Sequence, residues 1–206
     1  MIYQYPDAVL MVFCKAPLAG RVKTRLTTEL SAEQAMRVHI ELAKRTLQLA
    51  THGCLCPVQL WCAPTTDHEF FAESARSYPV TLRQQQGVDL GARMHYAFCR
   101  AMNSYSRALI IGCDCPSLTE DDLESAITAL NQQTHCVLAP AEDGGYVLIG
   151  LNQPQPTLFD NMPWGTPQVL EQTRARIKHA QLRHQELKPQ WDVDTPADLA
   201  RYRASA

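Results

Sequence analysis

The run Ala8-Val9-Leu10-Met11-Val12-Phe13-Cys14, continued by Lys15-Ala16-Pro17-Leu18-Ala19-Gly20-Arg21-Val22-Lys23-Thr24-Arg25-Leu26, decides how the rest of the chain is read. Seven consecutive apolar residues without polar alternation are what a strand buried on both faces requires. Such a strand needs helices above and below it, which points to a parallel α/β sheet. Four cations, Lys15, Arg21, Lys23 and Arg25, then fall within eleven residues, in a loop shaped by Pro17 and Gly20. Ligands in open α/β sheets collect at the carboxyl ends of the parallel strands. An anion is therefore expected at this loop.

The remaining elements alternate in the same sense. Ser31-Ala32-Glu33-Gln34 is a capping box opening a helix to about Ala50. Val58–Cys62 reads as the next strand. Thr66 with Glu69 is expected to cap a short helix to about Arg76, and Val80–Gln84 is a third strand. From Asp89 to Asn103, apolar residues recur at helical spacing (Leu90, Met94, Ala97, Phe98, Ala101). Ala108–Gly112 is a fourth strand, and Thr119 heads a helix to about Leu130.

Cys136–Pro140 and Tyr146–Leu151 are separated only by Ala141 to Gly145. A connection that short cannot make a parallel crossover, so one of the two is expected to run antiparallel. Thr166-Pro167 should cap a helix to about His179. Leu182–Leu187 reads as a last strand, and Thr195-Pro196 caps a terminal helix. The expected fold is α/β: a three-layer α/β/α sandwich on a mixed, mostly parallel sheet.

At 206 residues with 46% hydrophobic content, the chain suits one core and one domain spanning 1–206. A net charge of −2 argues against general nucleic-acid binding, which needs a basic face, but leaves room for a local anion site. No run reaches the ~18 apolar residues of a membrane span. The first apolar run is short and lacks a basic leader, so no secretory signal and a cytoplasmic location are expected. Several of the eight cysteines (Cys14, Cys62, Cys99, Cys136) sit in apolar runs, where thiols act as small hydrophobes. Cys54-x-Cys56 and Cys113-x-Cys115 lack zinc-knuckle spacing. Reduced thiols are preferred over a zinc site built from His52, Cys54, Cys56 and Cys62.

Residues following each strand carry the chemistry. The four-cation loop suits a triphosphate, although a solvated charged loop is the plain alternative. It is neither a P-loop nor a G-x-G-x-x-G dinucleotide sequence. Asp114 leaves the fourth strand between Gly112 and Pro116, aimed at the same cleft or capping a turn. Glu142-Asp143-Gly144-Gly145 pairs glycines that let a ligand approach the backbone, or that simply make a hairpin turn. Trp191-Asp192-Val193-Asp194 sets two carboxylates on one side of a strand, unless Asp194 joins the cap of the next helix. Together these supply carboxylates for a hard cation and cations for phosphate.

Six ordered motifs, from about Ala8 to Leu199, now carry a resemblance. They are the Lys15-to-Leu26 loop, Val88-Asp89-Leu90-Gly91-Ala92-Arg93-Met94, Ile111-Gly112-Cys113-Asp114-Cys115-Pro116, Asp143-Gly144-Gly145-Tyr146, Met162-Pro163-Trp164 and Asp192-Val193-Asp194-Thr195-Pro196. The set resembles the DUF2064 family, the "transferase 1" proteins associated with radical-SAM/selenodomain genes, of the GT-A nucleotide-diphospho-sugar transferase superfamily. More distantly it is similar to the molybdenum-cofactor and 2-phospholactate guanylyltransferases. The resemblance implies a nucleotide over the first strand's carboxyl end. Asp114 would be a metal-binding aspartate, standing where glycosyltransferases have the first part of Asp-x-Asp; this sequence has Asp114-Cys115-Pro116 there, so the second carboxylate must come from elsewhere. That second ligand would be Asp194, or Asp192.

The expected reaction is nucleotidyl transfer from a nucleoside triphosphate to a small phosphorylated or hydroxyl acceptor. Lys15, Pro17, Gly20, Arg21, Lys23, Arg25 and Asp114 would hold the nucleotide. Lys23 and Arg25 would act in catalysis at the leaving group, with Asp143 the base if the reaction is glycosyl transfer, and Mg²⁺ or Mn²⁺ would sit on Asp114, Asp194 and Asp192. Arg93, Gly144, Gly145 and Trp164 would face the acceptor. Glycosyl transfer from a nucleotide sugar is the alternative, and a non-catalytic nucleotide-binding module is the third reading. The sequence leaves a homodimer open and calls for neither nucleic acid nor membrane.

Overall fold

The computed structural model describes residues 2–130 and 133–205. Seven strands form one sheet: β1 (Ala8–Lys15), β2 (Val58–Ala63), β3 (Val80–Gln84), β4 (Arg107–Ile111), β5 (Cys136–Pro140), β6 (Tyr146–Leu151) and β7 (His184–Glu186). Their order is β3-β2-β1-β4-β6-β5-β7. β6 pairs antiparallel with both β4 and β5, while the other pairings are parallel. The antiparallel strand expected from the short Ala141–Gly145 connection is thus β6.

Helices α1 (Ala32–His52), α2 (Glu69–Ser77) and α4 (Glu120–Ala129) cover one face. They bury Ala43, Leu47, Phe71 and Ile127 against Leu10 and Val12 of β1. The opposite face meets α3 (Leu90–Ala101) and α5 (Val169–His179), where Phe98 and Ile177 share one apolar cluster with Val9, Met11 and Phe13. β1 alternates between the two layers, which is why its sequence shows no polar face. The last helix, α6 (Pro196–Ala204), packs through Tyr202 against Val38 and Leu42 of α1 and Leu26 of the first loop.

Three local expectations are corrected. The cap of α2 is His68, whose Nδ1 accepts from the Phe70 N–H at 3.2 Å, so Thr66 is not the cap. α5 starts at Val169 without a side-chain cap, because the Thr166 hydroxyl donates to the Pro163 carbonyl at 2.8 Å. The Gly144 carbonyl instead takes the Leu170 N–H at 2.9 Å. Asp192 and Asp194 lie outside any strand; their segment crosses the strand ends, tied by the Val193 N–H to the Asp114 carbonyl at 3.0 Å. The Ser31, Thr119 and Thr195 caps form as expected, and Asp89 caps α3 as well.

Phe98 is fully buried and stacks on Phe159 with centroids 5.9 Å apart. Phe98→Ala is expected to lower stability in urea unfolding by about 3–5 kcal/mol; a loss below about 1 kcal/mol would place this layer outside the cooperative core.

Candidate functional site

β1 has β2 on one side and β4 on the other, so the chain switches direction across the sheet between β1 and β4. A crevice opens at the carboxyl ends of strands at such a point. Val12 pairs with Ile111. Three residues on, Lys15 ends β1, and Asp114 follows just past the end of β4, so both stand at the same edge of the sheet.

The loop after β1 turns at Gly20, whose φ of +73° is left-handed and strain-free only for glycine. Lys23 adopts φ 47°, ψ 41°, also left-handed, at a cost of about 1–2 kcal/mol for a residue with a side chain. Its side chain is 5% exposed, and its Nζ donates to Asp114 Oδ2 at 2.8 Å and Asp194 Oδ1 at 2.9 Å. Arg25 Nη1 reaches the other oxygen of Asp194 at 3.3 Å. Burial works to lower the Lys23 pKa, yet the two carboxylates outweigh it and hold the ammonium charged well above the usual lysine range. Burial likewise works to raise the Asp114 pKa, and the Lys23 charge reverses the shift, leaving the carboxyl below its ordinary value.

Asp192 completes the group. Ligand oxygens of Asp114, Asp192 and Asp194 all lie within 4.8 Å of one another. Lys23 touches Asp114 and Asp194 but not Asp192. Burial, followed by the charges of Asp114, Asp194 and Asp143, pushes the Asp192 carboxyl up to about 7. Three hard oxygen donors with one cation short of neutrality fit a divalent ion such as Mg²⁺ or Mn²⁺.

Two cavities meet here. The larger, about 610 Å³, is lined by Lys15, Arg21, Lys23, Arg25 and Arg93, with Asp114 and Asp194 at its end. Arg93 lines this crevice beside the loop cations, its Nε donating to the Gly87 carbonyl at 3.1 Å. Pro17 and Gly20 shape the loop but do not line the crevice. The smaller cavity, about 230 Å³, is lined by Asp143, Gly145 and Trp164 together with Phe13, Met94 and Val169. Phe13, Leu90, Gly112 and Gly165 border both. Gly144 does not line either; its φ is +88°, and a Cβ there would run into the Pro167 carbonyl, so it lets the loop close on the lead into α5.

Sequence reading missed several lining residues. His39 is buried in α1, and its Nε2–H donates to the Lys15 carbonyl at 2.9 Å, while burial lowers its pKa and favours the neutral ring. With Cys14 and Cys113 it forms a second close group of ligand-type side chains behind the loop. A polar residue inside the apolar stripe Ala35, Val38, Leu42 was the available signal. Asp89 caps α3 by accepting from the Ala92 N–H at 2.8 Å and also lines the crevice. Phe13, Met94 and Val169 look like core residues in any periodicity. All eight thiols are free, and no helix among the described residues is long and apolar enough to cross a membrane.

A carboxyl pushed from 3.8 to about 7 on folding makes the native state bind an extra proton between those values. Its ionisation therefore costs stability as pH rises through that window, fully so above about 7 and not at all below about 4. Without divalent ions, Asp192→Asn should raise Tm at about pH 8 and leave it unchanged at about pH 4. A variant destabilised at the higher pH would contradict this electrostatic account.

Comparisons with known proteins bear on this geometry. A Desulfovibrio desulfuricans G20 protein, provisionally assigned as a nucleotide-diphospho-sugar transferase, superposes with a TM-score of 0.87 at 29% identity, over 97% of this chain and 88% of that one. A CMP:2-keto-3-deoxy-manno-octonic acid synthetase in complex with CTP shares the fold at TM-score 0.60 and 12% identity, over 97% and 98% of the two chains. The Mycobacterium tuberculosis glucosyl-3-phosphoglycerate synthase, in complex with Mn²⁺, UDP and glucosyl-3-phosphoglycerate, does so at 0.53 and 8%, over 95% and 75%. The fold is thus that of the nucleotide-diphospho-sugar transferases. No curated protein matches the chain. The DUF2064 family, described as uncharacterized proteins conserved in bacteria, matches residues 46–166, more than half of the 206. With the six motifs and this match on the same chain, the protein is a member of the DUF2064 family.

Proposed function

We propose that the protein is a metal-dependent nucleotidyltransferase, moving a nucleoside monophosphate from a nucleoside triphosphate to a small phosphorylated or hydroxyl acceptor. The observation that carries this reading is the juxtaposition, in one crevice at the switch point, of five cations with Asp114 and Asp194, two members of a three-carboxylate cluster completed by Asp192. A triphosphate carries about four negative charges, and no single feature of the site neutralises them alone. The CTP complex of the similarly folded synthetase supports the same kind of ligand.

In this reading Lys15, Arg21 and Arg25 hold the polyphosphate, and Arg93 borders the same space. Asp114, Asp192 and Asp194 would hold a divalent ion, which would supply charge neutralisation for the phosphates. Lys23 bridges Asp114 and Asp194 and exchanges a carboxylate partner for a phosphate oxygen as the nucleotide enters. The acceptor oxygen attacks the α-phosphorus. A new P–O bond forms, the bond to the β-phosphate breaks, and pyrophosphate leaves with the electron pair. For a hydroxyl acceptor, the proton passes to Asp143, which lines the smaller cavity beside the crevice. Positioning and charge neutralisation dominate such a reaction.

Glycosyl transfer is the second reading, favoured by the fold shared with the Mn²⁺ and UDP-bound synthase. Incubation with each nucleoside triphosphate and each common nucleotide sugar, with Mg²⁺ or Mn²⁺ and a panel of acceptors, separates the two. Pyrophosphate release is the expected result. Release of a nucleoside diphosphate would replace it with glycosyl transfer, and binding without any product would leave a nucleotide-binding module. Asp114→Ala should lose metal-dependent nucleotide affinity by at least about tenfold; unchanged affinity would remove Asp114 from the site.

A further inference from the structure

The smaller cavity differs in chemistry from the crevice it adjoins. Its walls are mainly carbon, from Phe13, Met94, Ile110, Ile149, Trp164 and Val169. No lysine, arginine or histidine lines it, and its one carboxylate is Asp143. The five neighbouring cations all face the larger crevice. A phosphate group placed here would be desolvated, would find no cationic partner and would stand beside a like charge, each of which disfavours it.

Size narrows the choice further. The cavity measures about 230 Å³, and a dry apolar cavity of roughly 150 Å³ already accepts a benzene ring. One aromatic ring or a compact branched chain fits, with space for a hydroxyl.

Resting on the nucleotidyltransferase reading, we infer that the acceptor is an uncharged alcohol with a compact apolar body, not a phosphorylated molecule. The apolar body occupies the small cavity, and the hydroxyl lies at the Asp143 side, towards the crevice that takes the nucleotide. This assigns the cavity a discriminating role: carbon walls admit the body, and the Asp143 charge rejects anions.

The test titrates ¹⁵N-labelled full-length protein with benzyl alcohol and, separately, with benzyl phosphate. The readout is the Trp164 indole resonance, assigned by its loss in Trp164→Phe. Nucleotide binding with Mg²⁺ is measured by calorimetry on the same preparation. Benzyl alcohol is expected to bind at least about tenfold more tightly than benzyl phosphate. Asp143→Asn should narrow that ratio, and Val169→Trp should abolish the alcohol's effect while nucleotide affinity stays within about twofold. Equal or tighter binding of benzyl phosphate overturns the inference. So does nucleotide binding with no response to benzyl alcohol, an outcome that leaves the transferase reading intact. Selective alcohol binding without nucleotide binding upholds the cavity's preference and instead sinks the transferase reading.

Discussion

An ammonium group with 5% of its side chain exposed survives only where carboxylates replace the water it has lost. Lys23 meets that requirement with two partners distant in sequence, Asp114 at the end of β4 and Asp194 just before α6. The contact joins the loop after the first strand, the middle of the sheet and the C-terminal segment at one point. Removing one partner of a fully buried pair costs about 3–5 kcal/mol. Here the carboxylates are 33% and 36% exposed, so water relieves part of that penalty. A left-handed backbone at Lys23 is tolerated because these bonds hold it.

The same contact makes the site charge-divided. Two carboxylates share the Lys23 charge, and the third, Asp192, is left to keep its proton up to about 7. That imbalance is what a divalent ion would relieve, and it faces the crevice where the remaining cations stand ready for an anion. On the far side of Gly112 and Leu90 the surface turns to carbon. One end of the switch point is therefore lined by cations and the other by carbon, with Asp143 as the carboxylate of the apolar end.

Much of this was legible in the residues. The apolar run of β1 gave the two-sided sheet, and the five-residue connection between Pro140 and Tyr146 gave the antiparallel strand. Caps with a reciprocal partner three residues on, Ser31 with Gln34 and Thr195 with Asp198, were readable because their hydrogen bonds are local. Thr166 and Thr66 misled because another local bond or another residue took the capping role. The cation loop and Asp114 were readable as a strand-end pattern. That Lys23 turns inward to Asp114 and Asp194 was not, since it depends on a left-handed backbone and on a segment 171 residues away. The apolar cavity was hidden for a different reason: its wall residues follow the same periodicity as the core.

The most direct test of the central claim is a crystal structure with a non-hydrolysable nucleoside triphosphate analogue and Mn²⁺. The account predicts polyphosphate oxygens within about 3.2 Å of loop cations among Lys15, Arg21, Lys23 and Arg25, and an anomalous manganese peak on Asp114 with Asp192 or Asp194. A nucleotide bound elsewhere, with Lys23 still locked between its two carboxylates and no metal beside them, would contradict it.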